Sequence, residues 1–305
     1  MSDQRPPTID PVAAAHWERT APAVSPWLHE EVARRMAERL PWIKREPAAW
    51  AHWGAVRGGL AGHGLVRERY PKAACWVIEP RAELAAEARR VLGRPWWQPQ
   101  RWTGAATQFG APPAGTVQML WANMALHLAA DPQALIAQWR DALAVDGFLM
   151  FSCLGPDTLH QLRAMYSALD WPAPGHAFTD MHDWGDMLVH AGFAEPVMDM
   201  ERLTLTYETP ERLLAELREL GRNLHPARFP ALRGRRWRAR LAEALVDHLA
   251  RPQEGGRLAL EFEVVYGHAF RPAPKLRLSA ESAVSLRDMR DMLRQPRPDT
   301  GQDSR

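Results

Sequence analysis

The sequence predicts an α/β fold: a mostly parallel sheet covered by helices on both faces, closed at one edge by an antiparallel pair of strands that brackets a helical insertion. Three observations predict it. Short apolar runs alternate with amphipathic segments between residues 48 and 153, the rhythm of a parallel sheet whose crossovers are helices. The runs 116–121 and 147–153 are apolar without alternation, as strands buried on both faces are. Two longer strand-like stretches, 196–207 and 258–270, flank two helical segments, an arrangement that closes such a sheet with an antiparallel edge.

Taken in order, residues 1–9 read as disordered and Pro11 to Arg19 as a short helix, so residues 1–25 form an N-terminal arm, partly disordered. His29 to Leu40 is an amphipathic helix with Val32, Met36, Ala37 and Leu40 on one face, and Pro41 and Pro47 mark its end. Ala48 to Trp53 is a short strand, and Gly58 to Arg69 is a glycine-rich entry to a helix. Ala73 to Glu79 is an apolar strand closed by Pro80, followed by a helix from Arg81 to Leu92. Thr116 to Trp121 is a strand, Pro132 to Ala144 a helix, and Gly147 to Cys153 a strand. Helices follow at Pro156 to Ser167 and Met181 to Ala191, the second capped by Asp180. The strands Pro196 to Tyr207 and Leu258 to Phe270 enclose helices at Pro210 to Leu220 and Arg236 to Leu249, so 209–256 is the insertion within a main domain of residues 26–272. Residues 273–305 are a polar tail with a short helix near Ser282 to Leu293.

Composition narrows the function classes. A hydrophobic share of 46% over 305 residues builds a full core, while a net charge of +2 gives no global electrostatic reason to bind nucleic acid or a membrane. Both cysteines, Cys75 and Cys153, lie inside apolar runs, which argues against a disulfide framework and for a reducing cytoplasm. The N-terminus has no apolar signal core, and no apolar run is long enough to cross a bilayer. Trp50, Trp53, Trp96, Trp97 and Trp102 crowd one third of the chain; core packing is the ordinary reading, a stacking platform for a flat ligand the sharper one. His176, Asp180, His182 and Asp183 match no recognised ligand spacing, so no metal is expected.

In open α/β sheets ligands bind at the carboxyl ends of the strands, where the strand order reverses. The first strand-to-helix turn holds Gly54, Gly58 and Gly59, and Glu79 ends the second strand, where a ribose-binding carboxylate belongs. Asn123 and His127 stand at the end of the fourth strand, placed to orient a substrate.

Several longer stretches carry a family resemblance. Pro26-Trp27-Leu28 precedes Arg34-Arg35-Met36-Ala37-Glu38-Arg39-Leu40, and Arg69-Tyr70-Pro71 precedes the second strand. Ala122-Asn123-Met124-Ala125-Leu126-His127 follows the fourth. Phe151-Ser152-Cys153-Leu154-Gly155-Pro156-Asp157-Thr158-Leu159, the Asp180 to Asp183 cap and Glu263-Val264-Val265-Tyr266-Gly267-His268-Ala269 complete the set. From about Ser25 to Pro272 the chain resembles the malonyl-acyl-carrier-protein O-methyltransferases of biotin synthesis. The resemblance implies a Rossmann-like class I methyltransferase sheet, S-adenosylmethionine as cofactor, and methylation of the free carboxylate of malonyl-acyl-carrier protein. It places the cofactor against Gly54, Gly58, Gly59, Glu79 and Asn123, and gives Asn123 and His127 to the chemistry.

The chain departs from the family pattern in four places. His52 stands near the expected Asp, Arg57 intrudes into a turn with irregular glycine spacing, Arg101 to Ala106 offers no acid after the third strand, and Gln118 replaces an Asp of the fourth. The alternative these departures motivate is a catalytically degenerate relative that binds a partner without methyl transfer. The segment from Arg222 to Arg240 holds seven arginines and no acid. An acidic acyl-carrier protein is the partner such a face would attract, with Arg228, Arg233, Arg235, Arg236 and Arg238 as the dock; a solvated basic face is the plainer reading.

Overall fold

The computed structural model describes residues 9–93 and 105–274. Its strands are β1 (Ala49–Trp53), β2 (Ala74–Ile78), β3 (Thr107–Phe109), β4 (Val117–Ala122), β5 (Leu143–Leu154), β6 (Ala194–Tyr207), β7 (Ala250–Arg251) and β8 (Arg257–Phe270). They lie in the order β3-β2-β1-β4-β5-β8-β6, with β7 pairing beside β8. The first five are mutually parallel, and β8 runs antiparallel to both β5 and β6. The chain enters at the middle, works outward to β3 and returns to lay β4 on the other side of β1, so the strand order reverses between β1 and β4.

The helices are α1 (Pro11–Thr20), α2 (Trp27–Ala37), α3 (Ala55–Gly58), α4 (Leu60–Arg69), α5 (Ala82–Leu92), α6 (Pro132–Ala142), α7 (His160–Ala168), α8 (Met181–His190), α9 (Pro210–Leu220) and α10 (Arg235–Leu249). Local chemistry fixes several starts. Asp10, Asp131 and Thr209 each precede a proline at the first helical position, where the missing N–H costs nothing, and each side chain accepts a backbone N–H of the first turn. Asp180 caps α8 through the His182 N–H, as its place before Met181 predicts. One apolar cluster, holding Val32, Met36, Trp50, Trp121 and Phe262, covers one face of the sheet; another, holding Leu120, Ile136, Trp139, Phe151 and Leu188, covers the other.

Four boundaries differ from the sequence reading, each for a local reason. The helix expected from His29 to Leu40 stops at Ala37, and Leu40–Trp42 forms a single 3₁₀ turn around Pro41. β5 starts at Leu143, not Gly147: Leu143 pairs with Val117, and the register then shifts before Met119 meets Phe148. The helix expected from Pro156 begins only at His160, because Gly155 to Leu159 is stitched to β8. There Thr158 Oγ1 donates to Glu263 O (3.0 Å), the Leu159 N–H donates to Glu261 O (2.7 Å), and Leu159 takes φ +58°. Finally β3 lies at 107–109, so Ala105 and Ala106 precede the strand; the residues that do follow it, Gly110 to Thr116, also hold no acid. Trp96, Trp97, Trp102 and the tail helix near 282–293 lie outside the described residues.

Trp50 lies fully buried in β1, and its indole N–H has no hydrogen-bond partner. Replacing Trp50 by Ala should cost about 3–5 kcal/mol through the cavity left. Trp50→Phe should cost less than about 2 kcal/mol, because it keeps an aromatic ring and removes an unsatisfied donor. Urea unfolding of the two variants checks the order; equal losses would contradict it.

Candidate functional site at the carboxyl ends of β1, β2 and β4

The turn after β1 explains its irregular glycines. Gly54 sits at φ +64° and donates its N–H to Ile78 O of β2 (2.8 Å), a conformation that favours glycine. A Cβ on Gly58 would stand 3.1 Å from Asn123 O, and one on Gly59 (φ +117°) would stand 2.9 Å from Glu30 Oε2. The Glu30 carboxylate accepts the N–H groups of Leu60, Ala61 and Gly62 at 2.9, 3.1 and 3.3 Å, so it caps the positive end of α4. Val56, between the glycines, turns its side chain into the core, fully buried, and puts nothing in front of the turn. A Cβ on Gly54 would meet no atom of the described residues within 4 Å, so these residues leave this corner open.

Glu79 lies beside that space. Its Oε1 accepts the Val56 N–H at 2.7 Å, while its Oε2 is buried with no partner. Burial is the main force that raises its pKa to about 7, against the Val56 N–H and nearby Arg81. A buried carboxyl oxygen without a hydrogen-bond partner at the end of β2 is a group that the hydroxyls of a ribose would satisfy.

Asn123 is committed within the protein. Its Nδ2 donates to His29 O (2.8 Å) and to Gly58 O, and its Oδ1 accepts from Ser152 Oγ (2.6 Å). Both donors are used, which leaves Asn123 no N–H for a substrate. His127 is different. Its Nδ1 accepts the Leu154 N–H (3.4 Å), so the neutral ring carries its proton on Nε2, and Nε2 bonds no described residue. Burial, with His29 and His176 nearby, drives its pKa well below the usual value. His52, where an acid was expected, stacks on His63 with ring centres 5.3 Å apart and Nδ1 atoms 3.1 Å apart. The pair is a buried packing unit under the turn: burial lowers His52 far, and His63 to about 3. Gln118, the other replaced acid, accepts the Ala49 N–H (2.7 Å) and so trims the start of β1.

Arg57 does not fill the open corner. Its guanidinium donates to Pro22 O and Val24 O (both 3.3 Å) and to Glu219 O (2.6 Å) and Leu220 O (3.4 Å), and it lies 5.3 Å from the Trp17 ring centre. Arg81 donates to Glu18 O (2.7 Å) and Ala21 O (3.1 Å). Two arginines, one rising from each of the first two strand ends, thus hold the N-terminal arm across the site. Trp17 is buried there, in an apolar group with Ile9, Ala14, Ala21 and Leu224. The sequence reading missed this role for residues 9–25; lone apolar residues in a polar arm gave no periodic signal.

Two cavities adjoin the end of β4. One, of about 230 Å³, is walled by Leu154, Leu159, Leu162, Leu214, Leu217 and Phe262, with Arg163, Arg218 and Arg222 also in its lining. Arg163 is spent on Pro156 O and Thr158 O, and Arg222 on Arg218 O and Gly221 O. The Arg218 guanidinium makes no hydrogen bond or ion pair with any described residue. The other cavity, of about 420 Å³, is more polar, with Asp131, Gln133 and Thr179 in its wall. His127, His176 and Phe178 line both. Of the arginines named for docking, Arg228 pairs with Asp10, and Arg233 lies 3.5 Å from the Trp237 ring centre. Arg235, Arg236 and Arg238 are exposed on α10.

No family model matches the chain. It is 38% identical over 273 residues to a malonyl-[acyl-carrier protein] O-methyltransferase of Laribacter hongkongensis, covering 87% of this chain and 88% of that protein. It is 39% identical over 256 residues to the protein of the same name from Gallionella capsiferriformans, covering 82% and 86%. Its fold is similar to the crystal structure of a proposed methyltransferase from Bacillus halodurans, with a TM-score of 0.51 and 11% identity over 80% of this chain and all of that one.

The buried histidines predict acid lability. The folded pKa values of His29, His52, His63 and His127 all lie below the usual value of 6.5, His29 and His63 at about 3. Stability is therefore complete above pH 6.5 and falls as the unfolded chain takes up protons that the fold refuses. Each group contributes about 1.4 kcal/mol per pH unit below about 6.5. Urea midpoints should drop steeply between pH 6.5 and 5; a flat profile would contradict this account.

Proposed function

The chain belongs to the malonyl-[acyl-carrier protein] O-methyltransferase family, and we propose that it transfers a methyl group from S-adenosylmethionine to the free carboxylate of a malonyl thioester on acyl-carrier protein, at the start of biotin synthesis. The observation that carries this reading is the pairing of two half-sites: the open corner at Gly54 and Glu79, and the leucine-walled cavity with Arg218, whose guanidinium pairs with no described residue. Arg57 joins them, since it rises from the glycine turn and ends on Glu219 and Leu220 beside that cavity.

S-adenosylmethionine, when bound, supplies an electrophilic methyl group on a sulfonium. Glu79 would hold the ribose through its free oxygen, and the chain at Gly54 would line the adjoining space. On the acceptor side no general base is required, because a malonyl carboxylate is ionised at neutral pH. The protein has to hold that carboxylate in line with the methyl group and exclude water. Arg218 is the cation available to orient it. Asn123 acts by position: it locks the glycine turn to the end of β4. His127 offers a neutral donor at the cavity wall. The exposed Arg235, Arg236 and Arg238 form the docking face for the acidic carrier protein. Two free, buried cysteines fit a cytoplasmic setting.

The test is methyl transfer from labelled S-adenosylmethionine to malonyl-acyl-carrier protein. Arg218→Ala should raise KM for the acceptor about tenfold with the donor affinity unchanged, and Glu79→Gln should weaken donor binding about tenfold, as lost bonds to a charged group do. A folded protein that binds carrier protein but not the donor would replace this reading with that of a degenerate relative. Reversing Arg235, Arg236 and Arg238 to Glu should raise KM for the carrier-borne acceptor, and leave KM for a small malonyl thioester unchanged. Equal effects on both acceptors would remove α10 from the docking face.

A further inference from the structure

His127 and His176 both line the apolar and the polar cavity, and their bonds to the backbone fix complementary tautomers. The Leu154 N–H occupies His127 Nδ1, so His127 presents Nε2–H, a donor without a described partner. His176 Nε2 lies 3.2 Å from His127 O, a carbonyl that can only accept, so the proton is on Nε2 and Nδ1 is an acceptor. That Nδ1 is buried and unpartnered. The two residues are 7% and 5% exposed. Burial, the main cause for each, lowers both pKa values and keeps both rings neutral. The Phe178 ring stands edge-on to both, 5.8 Å from His127 and 4.8 Å from His176.

One neutral donor and one neutral acceptor suit a ligand group that offers both a C=O and an N–H, as a secondary amide does. A carboxylate would leave the acceptor unmet, and an alkyl chain would leave both. The neighbouring volumes differ in character, with leucines walling one side and Asp131, Gln133 and Thr179 facing the other. A ligand lying past the histidines must therefore change from apolar to polar along its length. We propose that His127 and His176 form an amide-binding pair for an extended thioester arm: His127 Nε2–H donates to an amide oxygen and His176 Nδ1 accepts from an amide nitrogen. Resting on the methyl-transfer reading, the ligand is the amide-bearing pantetheine arm that presents the malonyl group, and the pair sets how far it enters.

The probe is free pantetheine, with binding to the wild-type protein and single variants followed by ligand-observed NMR. His176→Leu and His127→Leu should each weaken it about five- to tenfold. His176→Asn restores an acceptor near Nδ1, and His127→Gln restores a donor near Nε2, so both should recover most of the affinity. A structural role would not produce that recovery, and thermal unfolding of each variant confirms folding. Wild-type protein that ignores pantetheine, or variants that bind it equally, would overturn the proposal. Methyl transfer is scored separately. Pantetheine binding without transfer would sink the reaction and leave the amide pair; transfer with binding that ignores both histidines would do the reverse.

Discussion

The site depends on the Asn123 side chain. Three segments that are distant in sequence end at one buried amide: the carbonyls of His29 and Gly58 accept from Nδ2, and the hydroxyl of Ser152 donates to Oδ1. These belong to α2, the glycine turn and β5, so a single side chain sets the spacing between the two halves of the crevice. A buried amide with every hydrogen bond made is a rigid joint, because any displacement leaves polar groups unpaired in a dry interior. The positive φ of Met124, the next residue, follows from this joint: its N–H must reach both Ser152 O and Ser152 Oγ. Such strain persists only where the surroundings over-determine it.

Above that joint the chain is held chiefly by arginine bonds to carbonyls, and Arg81 Nε also lies 3.6 Å from Glu83 Oε2. Arg57 and Arg81 carry the arm from Glu18 to Val24 on backbone oxygens. Arg57 is mostly buried, and desolvation, helped by Arg81 and Arg222, lowers its pKa only to about 10, so it stays charged at neutral pH. A carbonyl accepts a guanidinium hydrogen bond without adding a negative charge, so these bonds leave both guanidinium charges in place, with Glu83 beside Arg81 and Glu219 near Arg57. The arm is also anchored at its far end, where Asp10 meets Arg228 and the Asp10 N–H meets Leu224 O (2.8 Å). It is therefore a strap running from the first two strand ends to the insertion, and the insertion supplies Leu214, Leu217 and Arg218 to the apolar cavity.

The sheet, its switch point and its antiparallel edge were legible because they rest on apolar periodicity, which survives local substitution. Glu79 was legible by its place after a strand. What the sequence hid is the partnering. Asn123 reads as a free polar group after β4, and nothing in its neighbours shows that the backbone carbonyl of His29, 94 residues earlier, accepts its hydrogen bond. Arg57 reads as an intruder in a ligand turn, whereas its long side chain carries the charge away to Pro22 and Glu219. Each of these turns on where a side chain goes, a quantity that spacing does not encode. Arg218 was hidden for another reason: between Glu216 and Glu219 and outside the arginine-rich segment 222–240, it reads as an ordinary solvated charge, and only the structure puts it in a cavity lining.

Charge explains why neutral histidines suit this crevice. A carboxylate and a sulfonium methyl donor begin as opposite charges and end as an ester and a thioether, both neutral. Charge is lost along the reaction, so water, which stabilises the separated ions, opposes the transition state more than a leucine-lined wall does. A protonated histidine at the wall would restore a field and draw water in. The same burial that holds His127 and His176 neutral leaves them as directional hydrogen-bonding groups that orient a ligand without solvating an ion. One cation is still needed to bring the malonyl carboxylate to such a wall, and in the proposed reaction it is Arg218, an exposed residue in the cavity lining. In the proposed reaction two tasks are thereby separated: capture of the anion by Arg218, and orientation of the uncharged arm by groups that add no charge.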